Sequence, residues 1–355
     1  MTHPPSPITL LTLLLALTIH PTHASAQPSS LDSTLSNALS ADAPDARPDS
    51  LGLLARVGAT YDGYAIAERT PRTGAFVVEI RAKWHDKTLR IPAKTSRDSG
   101  SWKITWAPDR SYAETLVQLV DADQLLQLPD DDNPSWADEK RVPALPILLT
   151  DDTAHTPFGS LPLTTSGKLK ASKRLGKHIG RWIDEILEND PAPAGIDVIA
   201  SSNTPWRHLS TLLLTASGAG LFRIRMIGTS HDHLAAWPAL APVFQVGDAP
   251  DRATAFVVGM YSDPANNFRV SVGERHLPDI QTDDPSTLPD KLRQLVKTSF
   301  DGDPPNVTHV MFAATGSTEI REAITYASAV AEALGIPSAK LYLGHIGEES
   351  SEQEP

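Results

Sequence analysis

Cysteine is absent from all 355 residues, which excludes disulfides, thiol catalysis and a lipid-bearing cysteine at a processed terminus. Basic residues are in deficit. Lys and Arg total 31 against 43 Asp and Glu, a net charge of −12, and no basic stripe is visible, which argues against a duplex nucleic-acid binder. Long apolar runs are scarce too. The one near the N-terminus, Ile8 to Ile19, holds about 12 apolar or Thr residues, short of the roughly 20 a spanning helix needs. Also missing are a G-x-S-x-G elbow, an H-E-x-x-H pair, a Walker loop and a G-x-G-x-x-G following a strand. No cofactor is therefore expected.

What is present begins with an export signature. The apolar run precedes a small-residue site, Ala24-Ser25-Ala26, so residues 1–26 read as a signal peptide cleaved after Ala26. The segment before the run, MTHPPSP, carries no Lys or Arg, and a retained anchor is the alternative. The mature chain is expected in the periplasm without a spanning segment. Residues 27–50 are rich in Ser, Ala, Asp and Pro and read as a flexible leader, too polar to offset the entropy of ordering.

Residues 51–127 read as a small α+β domain. Leu51, Leu53, Leu54 and Val57 suit a short helix, and four strand-like runs follow, Tyr64 to Ala67, Ala75 to Ile80, Thr88 to Ile91 and Trp102 to Trp106. Alternation puts Trp102, Ile104 and Trp106 on one sheet face as a core stripe. A closing helix is expected over Tyr112 to Leu125. Residues 128–142 are a charged, Pro-containing linker. Its triplet Asp130-Asp131-Asp132 lacks the spacing of a calcium loop.

The rest contains one pattern twice. In residues 143–235, Pro146 to Thr150 is a strand that Leu161 to Thr164 can pair with. A helix follows whose stripe is Leu175, Ile179, Trp182, Ile183, Ile186 and Leu187, with a basic opposite face that starts at Lys173 and Arg174. Next come the strand Ile196 to Ala200, candidate caps Ser201 to Thr204, a helix with Pro205 in its first turn, the stops Gly218 and Gly220, and the strand Phe222 to Ile227. Arg223 and Arg225 alternate with apolar neighbours, the mark of a strand with one wet face, near a sheet edge. His231 to Ala241 reads as a bridge. In residues 236–344 the order returns: a hairpin (Ala255 to Tyr261, Asn267 to Val272), a helix over Pro289 to Phe300, a strand ending Ala313-Ala314, a helix from Ser317, Gly335, and the strand Ala339 to Leu343. Residues 345–355 read as a disordered acidic tail. The fold class expected is α+β, with a small N-terminal domain before two tandem two-layer α/β sandwich domains.

The duplicated unit resembles the periplasmic domain of the ExbD/TolR family, small subunits of proton-motive-force-driven envelope motors. The residues that carry the likeness are Asp197-Val198-Ile199-Ala200, Thr204-Pro205-Trp206 and Gly218-Ala219-Gly220 before the strand to Ile227; the second unit matches through Ala313-Ala314 and Leu334-Gly335-Ile336. The resemblance implies binding rather than catalysis, to a TonB- or TolA-like motor partner or to peptidoglycan, and a possible dimer. It departs from the family in one respect that bears on mechanism. The family's membrane helix carries an aspartate that takes part in proton flow, whereas Ile8 to Ile19 has no acidic residue, so no proton conduction is expected.

Two clusters are candidate sites. Trp206-Arg207-His208 lies at a helix N-terminus, where backbone N–H groups favour anions, and is the candidate binding surface, with packing of Trp206 on the sheet as the structural alternative. His231-Asp232-His233 follows a strand, and His231 and His233 at that spacing can ligate zinc if a carboxylate completes the site. The leading expectation is a non-enzymatic envelope binding protein with no catalytic residues. The alternatives are a metal-dependent hydrolase using the His231–His233 loop and a module whose repeats serve only dimerisation.

Overall fold

The computed structural model describes residues 30–40, 42, 48–66, 74–121, 124–129, 144–163, 169–187, 194–230, 233–240, 255–262, 266–300 and 309–346. The expected signal peptide, the triplet 130–132 and the tail beyond Ile346 lie outside them.

The N-terminal part opens with α1 (Leu31–Ala38) and α2 (Asp49–Arg56). An antiparallel meander follows: β1 (Thr60–Ile66), β2 (Ala75–Trp84), β3 (Lys87–Asp98) and β4 (Ser101–Trp106). The helix α3 (Arg110–Asp121) closes it. This corrects the reading of 27–50 as a flexible leader. Ser30 caps α1 by accepting from the Ser33 N–H, and Leu31, Leu35 and Leu39, one helical face, are buried in the module's core. The Trp stripe of β4 is split. A register shift at Lys94/Thr95 leaves Trp102 and Ile104 half-buried on the module's own core, while Trp106 meets Trp182 at 5.6 Å between ring centroids.

The remaining strands share a single sheet, so the expected pair of separate sandwich domains is also corrected. The first half contains β5 (Ala144–Leu149), β6 (Thr153–Thr156), β7 (Gly159–Pro162), α4 (Lys173–Glu185), β8 (Gly195–Ala200), α5 (Trp206–Gly218), β9 (Arg223–Ser230) and β10 (His233–Leu240). The second contains β11 (Ala255–Tyr261), β12 (Asn267–Val272), β13 (Arg275–His276), β14 (Ile280–Gln281), α6 (Leu288–Ser299), β15 (His309–Thr315), α7 (Ile320–Ala333) and β16 (Leu341–Ile346). The order across the sheet is β13-β12-β11-β15-β16-β10-β9-β8-β5-β6-β7, with β14 beside β12. The halves thus mirror each other around β10. The segment expected to be a bridge is thus a strand, which pairs with β9 along its length and with β16 through Leu240 and Tyr342. β7 pairs with β6, not with β5 as expected.

Helices α4 to α7 pack on one side of this sheet. The stripe on α4 is buried as its periodicity requires at Leu175, Ile179, Trp182, Ile186 and Leu187, with Ile183 half-buried against the same core, each large side chain contributing about 1.5–3 kcal/mol. On the opposite side, Leu148, Ile199, Ile227, Leu234 and Ala236 of the first half join the N-terminal module in one core with Leu51, Leu54, Leu116 and Leu119. The end of the expected N-terminal domain and the first residue of the expected linker belong to this contact. Leu125, Leu126 and Leu128 are buried, and Leu126 bonds to Ala200 and Thr229 through its backbone. The approach is so close that a Cβ on Gly228 would fall on the Leu126 carbonyl.

β9 is accordingly not at an edge, and of its two arginines only Arg223, at its start, is exposed. Arg225 is buried beneath the module and forms a bidentate pair with Asp197 on β8, at 2.6 and 2.8 Å. Alternating Arg and apolar residues misled because an ion pair lets a charged face be buried. The Tyr112 hydroxyl of α3 lies near this pair, its pKa raised by burial and by the Asp197 charge.

Candidate functional site

The two halves meet at their equivalent turns. Ala200-Ser201-Ser202-Asn203-Thr204-Pro205-Trp206 matches Ala314-Thr315-Gly316-Ser317-Thr318-Glu319-Ile320 position by position. Pro205 and Glu319 both stand at the N-cap in extended conformation and pair with each other. The Trp206 N–H donates to the Thr318 carbonyl at 2.7 Å and the Ile320 N–H to the Thr204 carbonyl at 2.9 Å. Each helix start is thus capped by the backbone of the other half, which satisfies donors usually left to side chains. Ser201 to Thr204 do not cap α5 with their side chains, and Pro205 precedes its first turn rather than lying in it.

This arrangement removes Trp206, Arg207 and His208 as a binding surface. All three are buried. The Trp206 indole donates to the Gly344 carbonyl of the second half at 2.8 Å and meets Phe312 edge-on. His208 faces the Thr150 backbone without closing a well-formed bond at either ring nitrogen. Burial lowers its pKa, and nearby Arg207 adds to this, so the ring is neutral. Of the metal pair, His231 and Asp232 lie outside the described residues, and His233 opens β10 opposite Ser230. Among the described residues no group of three or more His, Asp or Glu is placed to hold a metal ion.

A second polar cluster joins α3 to the β6–β7 hairpin. His155 Nδ1 lies 2.8 Å from Ser160 Oγ and 3.2 Å from Thr115 Oγ1, and His178 Nδ1 lies 2.7 Å from Thr156 Oγ1. Burial lowers both histidine pKa values. A Ser–His contact by itself does not make a nucleophile, which needs a base oriented by a third group. Asp109 Oδ1, the nearby carboxylate oxygen, accepts instead from the Ser111 hydroxyl and the Tyr112 N–H, capping α3. The cluster works as a tether.

The site that stands out lies on the module's side of the sheet, in the second half. In the first half, the row Leu148, Ile199 and Ile227 runs across β5, β8 and β9 and packs into the N-terminal module. The equivalent row on β11, β15 and β16 is Gly259, Ala313 and Gly344. Around it stand Val257, Tyr261, Met311, Tyr342 and Ile346, each half-buried. Met311 Sδ lies over Gly344 and Ile346 Cδ1 over Gly259, 3.0 and 3.1 Å from where a Cβ would be. Arg269 is exposed and stacks on Tyr261 at 4.3 Å; the His309 ring lies 5.6 Å from Tyr342. Strand residues on this face include Arg269, His276 and His309 and no Asp or Glu. The face offers mixed apolar and aromatic area with one exposed guanidinium, Arg269, on a strongly acidic chain. Sequence reading missed it, because β11, β15 and β16 look like ordinary buried strands until their register aligns the small residues.

No protein-family model, curated protein or solved structure matches the chain.

Proposed function

We propose that the chain is a non-enzymatic, exported binding protein of the cell envelope, with two ExbD/TolR-like halves, that docks a TonB- or TolA-like motor partner on the half-buried face of its second half, where the core of the N-terminal module does not extend. One observation carries the reading: the same side of one sheet is covered by the N-terminal module over the first half, whereas over the second it presents half-buried apolar and aromatic side chains beside the exposed Arg269. Sheets bury such faces under another layer, and aromatic residues with Arg are the enriched chemistry of protein interfaces. The pseudo-symmetric halves also support a chain that carries both members of a dimer in one polypeptide. No helix among the described residues is long and apolar enough to cross a membrane, and the reading needs none.

The test is cross-linked affinity capture from native envelope extract, with the full chain and a Met311→Glu/Tyr342→Glu variant as baits. Motor subunits or TonB/TolA-like proteins should enrich with the first and drop several-fold with the second. Equal enrichment with both baits, or none above an unrelated control, would sink the reading. Sedimentation with sacculi run in parallel would move the assignment to peptidoglycan if only sacculi retain the chain.

A further inference from the structure

Exposed cations on this acidic chain are often matched. Lys83, Lys103, Arg110, Arg181, Arg293 and Arg321 each pair with a carboxylate at 2.6–3.3 Å. The opening of α4 is different. Lys170, Lys173, Arg174 and Lys177 are exposed, and among the described residues none of the four has an ion pair or a side-chain hydrogen bond. Lys173 and Arg174 begin the helix, where its dipole disfavours cations, and the first turn has no acidic residue to offset them. The stability of α4 therefore does not account for the run. We propose that this face of α4 is a docking surface for anionic lipid headgroups, by which the chain rests on a bilayer. It is separate from the face of the second half and does not depend on that reading.

Geometry concentrates the charge. Lys173 and Lys177 stand on one side of the helix, about 6 Å apart along its axis, with Arg174 beside them. That is within a Debye length of about 8 Å at physiological salt, so their fields add. Arg181 closes the patch, held by Glu185 at 2.6 Å and lying over the Phe158 ring at 4.6 Å. Asp184, the other acid of α4, is about 10 Å along the axis from Lys177. The neighbouring helix α5, joined to α4 where the Ser172 N–H donates to Thr215 at 2.9 Å, exposes no charge. Its one Arg or Lys, Arg207, is buried, and Thr211 and Leu214 are half-buried. Nothing on that flank repels an anionic surface. An acidic peptide is captured in a groove or on a sheet edge, whereas a bilayer presents many phosphates at once and needs only exposed charge. The rest of a chain of net charge −12 is repelled by the same surface, which orients α4 toward it.

Vesicle flotation tests this. The chain from Gln27, which holds every described residue and omits the apolar run that would itself enter a bilayer, is mixed with vesicles of equal parts phosphatidylglycerol and phosphatidylcholine, or of phosphatidylcholine alone. It should float with the first and not the second, and should be released in roughly 0.5 M NaCl, where screening shortens to a few ångströms. Lys173→Gln/Lys177→Gln should weaken partition roughly twenty-fivefold, at about fivefold per charge, whereas Lys173→Arg/Lys177→Arg should keep it. The denaturation midpoint of the Gln variant should hold or rise, because Lys173 leaves the positive end of a helix. Lys297→Gln/Lys340→Gln, which removes the same net charge from exposed sites of the second half, should bind as the parent does. Absence of flotation with the anionic vesicles overturns the proposal, as does an equal loss in the two Gln variants. Binding of soluble poly-glutamate without retention on vesicles overturns it too and assigns the face to an acidic polypeptide. None of these outcomes touches the docking reading, which is decided by capture on the Met311→Glu/Tyr342→Glu variant.

Discussion

His208, His155 and His178 are histidines that folding holds neutral, and they make the clearest residue-scale prediction. Burial lowers the pKa of each, so the unfolded chain binds more protons than the folded one just below its ordinary value of about 6.5. Stability from these groups is therefore complete above about pH 6.5 and falls as the pH drops through and below that value toward the depressed folded pKa values. Denaturant midpoints measured from about pH 8 down to about pH 5 should decline most steeply below about 6.5. His208 has the most direct test, because its buried ring nitrogens lack well-formed partners. Replacing such a group with an apolar one of similar shape is close to neutral or stabilising. His208→Phe should thus change stability at neutral pH by no more than about 1 kcal/mol while making the acid decline shallower. A loss of several kcal/mol, with the pH slope unchanged, would show that the ring holds a bond its geometry does not indicate.

At the scale of elements, α1 carries the prediction, since it lies where composition indicates disorder. Its eight residues are too few to form a stable helix in isolation, and tertiary burial of Leu31, Leu35 and Leu39 holds it. Leu35 is fully buried. Leu35→Ala should cost about 2–5 kcal/mol by the usual range for a core leucine, read as a drop in the denaturation midpoint. A change below about 0.5 kcal/mol, the range of surface substitutions, would return residues 27–50 to the status of a leader. The legible signal was there, Leu31, Leu35 and Leu39 at helical spacing after Ser30, but Ser, Asp and Pro around it dominate any compositional average. By contrast α4 was readable almost residue by residue, because a long apolar stripe needs no knowledge of its partner to be recognised.

For the molecule as a whole, the question is what makes two halves one body. Among the described residues, Leu240 and Tyr342 give one strand pairing across the seam between β10 and β16, whereas the turns at Pro205 and Glu319 exchange backbone caps and Trp206 reaches Gly344. Coupling is thus concentrated at Trp206. Trp206→Ala should cost about 3–5 kcal/mol and should lower amide-exchange protection in α5 and α7 together, since each helix start is capped by the other half. Loss of protection confined to α5 would mean that the halves are stabilised independently.

Read alone, the sequence determined the order of the repeated elements and their apolar faces, because these depend on periodicity and local backbone chemistry within a dozen residues. It also contained the Ala-x-x-x-Thr turn of both halves and the resemblance that prompts a binding role. Only the tertiary structure decided which faces are covered. Arg225 looked wet because Asp197, its partner, is 28 positions away, a separation that no local pattern spans. Trp206 and His208 looked like a surface because the residues burying them belong to the other half. Gly259, Ala313 and Gly344 became one row of small residues only when three distant strands came into register. Burial is a property of pairs of surfaces, and a single chain segment encodes just one member of each pair.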